Sequence, residues 1–518
     1  MDEPTAGRRS GGAGQSTSYW LETLGCPKNQ VDSDKLGGRL EADGYRRARR
    51  AEDADLLVVN TCAFIEAARE ESIGVVLELA GAKKAGARLA VTGCLAERYG
   101  PELAEAMPEI DQVAGFGVAL ARPAPAPVQL GATGLRDEGR TAWGGTHDGD
   151  DRLDTQPGRP SFDLLNLPRP PARAPWAYVK VAEGCDRRCG FCAIPSFRGP
   201  QRSRTAQDIL DEVEVLGVQE VVLVAQDLVS WDRDLTGRQA DLTRRQAVAS
   251  VIGPEDVGPD GGGGLVTLVR AVQKRVERVR LLYLYPSGLT GELVEVIGES
   301  GCPYYDLSLQ HVSGPLLRRM RRFGNGERFL RKISDIRRRF PEATLRSSFI
   351  VGYPGETEED HDALLRFLEE ARLDWVGLFS FSLEQGTHAA GLPDQVPAAL
   401  AAERLRECSE LQDAITTAKR AEVVGTTCRA LVDAPGRARS HREAPEIDGL
   451  IRAPRHLAVG SWVELEIVDA IGPDLVGSPL GSENQSTPGF GDDDRLAARS
   501  EAGTVARPPL ACNLSAGV

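Results

Sequence analysis

A chain of 518 residues exceeds one hydrophobic core, so roughly two to four domains are the starting expectation. A net charge of −14 works against an indiscriminate grip on nucleic acid and suits a basic partner. No run approaches the ~20 apolar residues of a membrane span, and the first residues lack the apolar centre of a signal peptide, so a cytoplasmic protein with no membrane partner is expected. Ten cysteines in such a protein read as metal or redox chemistry before they read as disulfides.

Residues 1–17 are rich in Gly, Ser and Arg, and no fixed structure is expected there. From residue 18 one pattern repeats three times. Residues 18–24 read as a strand, followed by the loop Gly25-Cys26-Pro27-Lys28-Asn29 and a helix over 31–42. Residues 54–60 read as a buried strand leading to Thr61-Cys62, with a helix over 66–80. Residues 87–92 form a third strand, then Gly93-Cys94 and a helix from near Glu97. Alternating strands and helices imply a parallel sheet with right-handed crossovers, whose ligands bind at the carboxyl edge. Cys26, Cys62 and Cys94 are about one βαβ unit apart, so their thiols can meet at that edge as a three-ligand site. Three half-buried cysteines that bind nothing are the alternative.

Residues 117–171 have linker composition, and the domain limits expected are 18–120 for the first α/β domain and 121–172 for the linker. Residues 177–182 then read as a strand that Glu183-Gly184 turns into C-D-R-R-C-G-F-C at 185–192. Cys185, Cys189 and Cys192 can converge on one small centre and leave it short of a full set of four ligands, as an open iron–sulfur cluster would be; a zinc site completed by a distant ligand, or surface thiols that bind nothing, are the other readings. Strand-helix alternation continues to Phe381, with strands over 220–225, 279–285, 305–309, 345–351 and 376–381. Roughly six βα units fit an incomplete (β/α) barrel over 173–410, interrupted by an insertion at 236–264, with its chemistry at the carboxyl ends of the strands. Gln310 and His311 lie at such an end, where catalytic residues are placed, although a lone His is more often structural. Gly352 and Gly355, in the turn 352–357, could let backbone approach a cofactor, or the turn could simply present Thr357 as a helix cap.

Between 315 and 346 stand eleven Arg or Lys against three Asp or Glu, which reads either as a basic face or as a solvated outer helix. A helix over 397–420 precedes short strands within 411–476, which suggest a small antiparallel β-barrel, and residues 477–518 look unstructured. Cys302, Cys408, Cys428 and Cys512 are scattered and read as ordinary.

Two cysteine trios in this order, followed by a small terminal barrel, resemble the radical S-adenosylmethionine (SAM) methylthiotransferases over 18–120 and 173–476. L-G-C-P-K-N at 24–29, C-A-I-P-S-F-R-G at 192–199, S-L-Q-H at 308–311 and A-P-E-I-D-G at 444–449 resemble the branch that modifies an aspartate of small-subunit ribosomal protein twelve. Gln30 and Ala63 depart from that branch, which has a hydrophobic residue and glycine there. The resemblance implies a 4Fe-4S cluster on Cys185, Cys189 and Cys192 that binds and cleaves SAM, an auxiliary 4Fe-4S cluster on Cys26, Cys62 and Cys94 that carries sulfur, and a TRAM-like terminal barrel. Gly352, Gly355 and Gln310 are the residues expected near SAM. Also implied are a flavodoxin- or ferredoxin-type electron donor and a monomeric enzyme. The rival expectations are methylthiolation of an adenosine in transfer RNA and a non-catalytic iron–sulfur carrier.

Overall fold

The computed structural model describes residues 17–116, 118–120, 163–235 and 264–480. Most of the expected unstructured ends, most of the expected linker and nearly all of the expected insertion lie outside the described residues.

In the first domain, strands β3 (Leu56–Thr61) and β4 (Arg88–Gly93) are almost wholly buried, as apolar runs at the centre of a parallel sheet should be. With β1 (Ser18–Thr23) and two-residue edge strands β2 (Arg46–Arg47) and β5 (Gln112–Val113), they form a parallel sheet of order β2-β1-β3-β4-β5. This is the doubly wound order of flavodoxin-like folds. The connecting helices are α1 (Pro27–Ala42), α2 (Glu66–Ala82) and α3 (Cys94–Ala106). Two of them start earlier than expected. Helix α1 begins at Pro27, whose fixed φ suits a first turn and whose missing N–H costs nothing there; α3 begins at Cys94 itself.

The second domain is an open barrel. Strands β6 (Trp176–Lys180), β9 (Glu220–Val224) and β10 (Arg278–Leu281) pair in parallel, as do β11 (Tyr304–Gln310), β12 (Thr344–Val351) and β13 (Trp375–Ser380). A parallel bridge between Leu284 and Leu307 joins the two halves into six strands. A ribbon of β7 (Ala182–Glu183) and β8 (Arg202–Ser203) flanks the cysteine loop. Helix α4 (Ile194–Arg198) follows the cysteine loop and packs on α3 of the first domain, and outside the barrel lie α5 (Ala206–Leu216), α6 (Leu265–Gln273), α7 (Gly291–Gly298), α8 (Gly314–Arg319), α9 (Gly326–Arg339), α10 (Glu358–Ala371) and α11 (Ala398–Glu422). The basic stretch divides between two roles. Helix α9 buries Phe329, Ile333 and Ile336 and pairs its outer arginines with Glu327, Asp335 and Glu295, whereas Arg322 and Arg346 turn into the barrel.

Strands β14 (Thr427–Ala434), β15 (Arg437–Arg439), β16 (Ile451–Arg452), β17 (Trp462–Ile471) and β18 (Asp474–Pro479) close a small barrel. Strand β18 runs past the limit expected at 476, because its pairing with β17 extends to Pro479. The limit expected at 410 falls inside α11, which packs on both β13 and β17. Residues 444–449 seat against the amino end of the large barrel: Tyr178 donates its hydroxyl to the Pro445 carbonyl at 2.7 Å, and Tyr304 donates to Asp448 at 2.6 Å. Helix α1 links the first two domains through buried charges, with Lys35 paired to Glu212 of α5 at 3.2 Å and Asp32 paired to Lys180 of β6.

Candidate active site

At the carboxyl edge of the first sheet, Cys26 caps α1, Cys62 follows β3 and Cys94 opens α3. Gly25 holds a φ of +92°, and a Cβ there would lie 2.8 Å from Cys62 Cβ and 3.0 Å from its Sγ, so the Cys26 turn closes directly over Cys62. Asn29 braces this turn by donating to the carbonyls of Leu24 and Thr61 at 2.9 and 3.0 Å. Burial pushes the Cys62 and Cys94 thiols up; Cys94 and Cys26 add to the rise at Cys62, while Arg198 opposes it at Cys94. The amino ends of α1 and α3 place partial positive charge beside Cys26 and Cys94.

In the barrel, Cys185, Cys189 and Cys192 line one cavity with Arg187, Gln226, Asp227, Tyr283, Tyr285, Ser308 and Arg322. Gly184, at φ +77°, permits the entry turn, since a side chain there would strike the Pro200 carbonyl. Burial pushes the Cys185 thiol up to about 11 and raises Cys192 too, where Cys189 adds to the effect. Arg322 donates to Cys189 Sγ at 3.3 Å, and the Arg187 backbone N–H donates to Cys185 Sγ at 3.4 Å. Among the described residues, Tyr283 Oη and Gln226 Oε1 are buried without a hydrogen-bond partner.

Among the described residues, no three or more His, Cys, Asp and Glu side chains gather as a ready-made metal-ion site. The donor set nonetheless fits iron–sulfur clusters. Buried thiols that burial keeps protonated need a strong Lewis acid to become thiolates, and each trio leaves a coordination position open.

A second cleft lies between the domains. It is lined by Phe64 and Ile65, just past Cys62; by Phe191, between Cys189 and Cys192; and by Gln310, Ile350, Phe379, Phe381 and Glu384. Glu384 accepts from Arg69 of α2 at 2.6 Å and from Arg98 of α3 at 2.6 Å, holding the first domain across the barrel mouth.

Of the other residues singled out in the sequence, Gln310 borders this cleft with φ +72°. His311 is fully buried; its Nδ1 accepts from the Ser313 N–H at 3.1 Å and its Nε2 lies 3.4 Å from Glu356. Gly352 and Gly355 line neither cleft: they pack against Ala401 and Arg319, and Thr357 caps α10 in a capping box with Asp360. Cys302 and Cys408 are buried away from both trios. Sequence reasoning passed over Lys28, Arg198, Arg322 and Glu384; the first two stand inside the quoted stretches at 24–29 and 192–199.

Residues 18–115 match a family described as uncharacterized protein family UPF0004, residues 179–368 the radical SAM superfamily, and residues 424–480 the TRAM domain. An open parallel barrel with a three-cysteine loop, bracketed by those two domains, defines a radical SAM protein of the three-domain type. Ribosomal protein uS12 methylthiotransferase RimO of Streptomyces coelicolor is 39% identical over 514 residues, covering 90% of this chain and 97% of its own. Its counterpart from Moorella thermoacetica is 42% identical over 437 residues, covering 83% and 91%. The chain belongs to the ribosomal protein uS12 methylthiotransferase family.

Proposed function

We propose that this protein methylthiolates the β-carbon of an aspartate in ribosomal protein uS12, with SAM and two 4Fe-4S clusters as cofactors. The observation that carries the reading is the interdomain cleft, whose walls come from the residues next to Cys62 on one side and from between Cys189 and Cys192 on the other. A side chain entering there would be flanked by both cysteine trios.

Cys185, Cys189 and Cys192 hold one cluster and Cys26, Cys62 and Cys94 the other. Bound in these places, the clusters and SAM supply the carbon-centred radical that an unactivated C–H bond requires and the sulfur that replaces the hydrogen. The chain's own residues do the rest. Arg322 and the Arg187 N–H donate to the barrel sulfurs. Tyr283 Oη and Gln226 Oε1 offer buried polar atoms to SAM within the cavity. Phe64, Phe191, Phe379 and Phe381 line the cleft with apolar surface and so exclude water from it. Gln310 borders the reacting side chain. Gly352 and Gly355 shape the neighbouring turn, whose Tyr353 hydroxyl abuts Gly190 of the cysteine loop.

A net charge of −14 suits a basic ribosomal protein as partner. No helix among the described residues is long and apolar enough to cross a membrane. A monomer working in the cytoplasm with a flavodoxin- or ferredoxin-type donor completes the reading. The test is mass spectrometry of uS12 from a strain lacking the gene, with and without its return on a plasmid. The methylthio mass should vanish and be restored; its persistence in the deletion strain would refute the assignment.

A further inference from the structure

Helix α4 leaves the barrel's cysteine loop just after Cys192, yet its capping residue Ala193 and its Phe197 are buried in the core of the first domain, among Leu24, Val59, Cys94 and Leu95. It ends on Arg198, whose side chain is 3% exposed. One guanidinium arm (Nη2) donates to Asn29 Oδ1 at 2.7 Å and to Cys94 Sγ at 3.1 Å. The other (Nη1) donates to Glu183 Oε1 at 2.7 Å and lies 3.4 Å from Asp32. Gln226, which lines the barrel cavity, donates to the same Glu183 oxygen at 2.8 Å. A continuous chain of hydrogen bonds therefore runs from an auxiliary cysteine to the wall of the radical site.

We propose that Arg198 is a positioning residue that sets the reduction potential of the auxiliary centre and holds that centre in fixed relation to the barrel loop. The inference rests on the reading that Cys26, Cys62 and Cys94 carry a cluster. Nearby, Asp32 and Glu183 are ion-paired with Lys180 and Arg198, so the charges of these four side chains cancel among themselves. A charged donor fixed on a cluster thiolate favours the form of the cluster with one more electron, and so raises its potential. Lysine could not substitute. Its single ammonium cannot reach the sulfur, the Asn29 amide and the Glu183 carboxylate together, whereas the planar fork of arginine does.

The experiment is an anaerobic redox titration, followed by electron paramagnetic resonance, of the fully loaded full-length protein and its R198K and R198M variants. The two clusters are assigned by repeating it with C62A and C189A. R198M should lower the auxiliary midpoint and leave that of the barrel cluster unmoved, with R198K falling between wild type and R198M. Because R198M leaves Glu183 and Asp32 in excess, R198M combined with E183Q restores the charge balance while still lacking the N–H···S bond, and should show the same lowered midpoint. An auxiliary midpoint unchanged in both R198M backgrounds would overturn the proposal while leaving the two-cluster reading intact. Wild-type protein holding only one cluster's iron, about four atoms per chain, would instead overturn the reading beneath it.

Discussion

Lys28 Nζ stands 3.6 Å from the ring centre of Tyr283. Lys28 is buried two residues beyond Cys26, and Tyr283 lines the cavity of the barrel cysteines, so this pair joins the floor of one site to the wall of the other. A desolvated cation on an aromatic face is worth about 2 kcal/mol. Tyr283→Leu should therefore cost the apoprotein at least about 2 kcal/mol in urea unfolding. Tyr283→Phe keeps the ring and removes a hydroxyl with no hydrogen-bond partner among the described residues, so it should change stability by less than about 0.5 kcal/mol. Equal losses from both substitutions would show that the ring contact contributes nothing.

On the proposed reading, the two cysteine trios divide the labour. Cys189→Ala should abolish the release of 5′-deoxyadenosine from SAM, because it removes a proposed cluster ligand beside the barrel cavity. Cys62→Ala should leave that release measurable and eliminate methylthio transfer to uS12, because Cys62 lies in the separate domain at the carboxyl edge of the first sheet. Anaerobic chromatography of SAM products, run beside mass spectrometry of the protein substrate, separates these outcomes. Loss of both activities in Cys62→Ala, with its fold and the barrel cluster intact, would contradict the division.

The sequence makes the candidate cysteines legible because they obey local rules. Each auxiliary cysteine follows a strand, and the barrel trio is compact. The parallel barrel is legible for the same reason, since its strands are short apolar runs between amphipathic helices. The charged partners are not. Arg198 meets Cys94 across 104 residues, and Arg322 meets Cys189 across 133. No periodicity marks such residues, and a buried arginine looks in sequence like any surface arginine. Gly352 and Gly355 show the opposite difficulty. A glycine-rich turn beside a barrel strand suggests a cofactor, whereas positive φ and close packing on Ala401 and Arg319 already account for both glycines.

Glu384 ties the first domain to the barrel. Its carboxylate is 3% exposed and serves Arg69 and Arg98, and Arg98 also donates to the Ala63 carbonyl beside Cys62 at 3.2 Å. Removing one member of a buried ion pair costs about 3 to 5 kcal/mol; the partial exposure of Arg69 places Glu384→Gln at the lower end. With the clamp loosened, the cleft loses register. The variant should cleave SAM without completing transfer, so the ratio of 5′-deoxyadenosine to methylthiolated uS12 rises. Hydrogen exchange should quicken in α2 and α3. An unchanged product ratio would show that the clamp plays no part in coupling.

Glu220 opens β9 and is fully buried, with Arg280 at 2.9 Å, Arg439 of the terminal barrel at 3.0 Å and Arg278 at 3.6 Å. Burial pushes its carboxyl up, but Arg439, Arg280 and Arg278 outweigh burial and hold it at about 2, against an ordinary value of 4.5. A carboxylate held down in the folded state contributes stability that is fully present above the unfolded value and is lost as pH falls through the folded one. The ion pairing should therefore act in full above pH 4.5 and fade towards pH 2. Glu220→Gln should destabilise the protein by about 3 to 5 kcal/mol at pH 7, because three arginines lose their shared counter-charge. At pH 3.5, one unit below the unfolded value, the gap between wild type and variant should narrow by about 1.4 kcal/mol. Denaturant unfolding of both proteins at the two pH values checks the sign. A gap that widens on acidification would mean that Glu220 is protonated in the folded state and does not anchor the terminal barrel by charge.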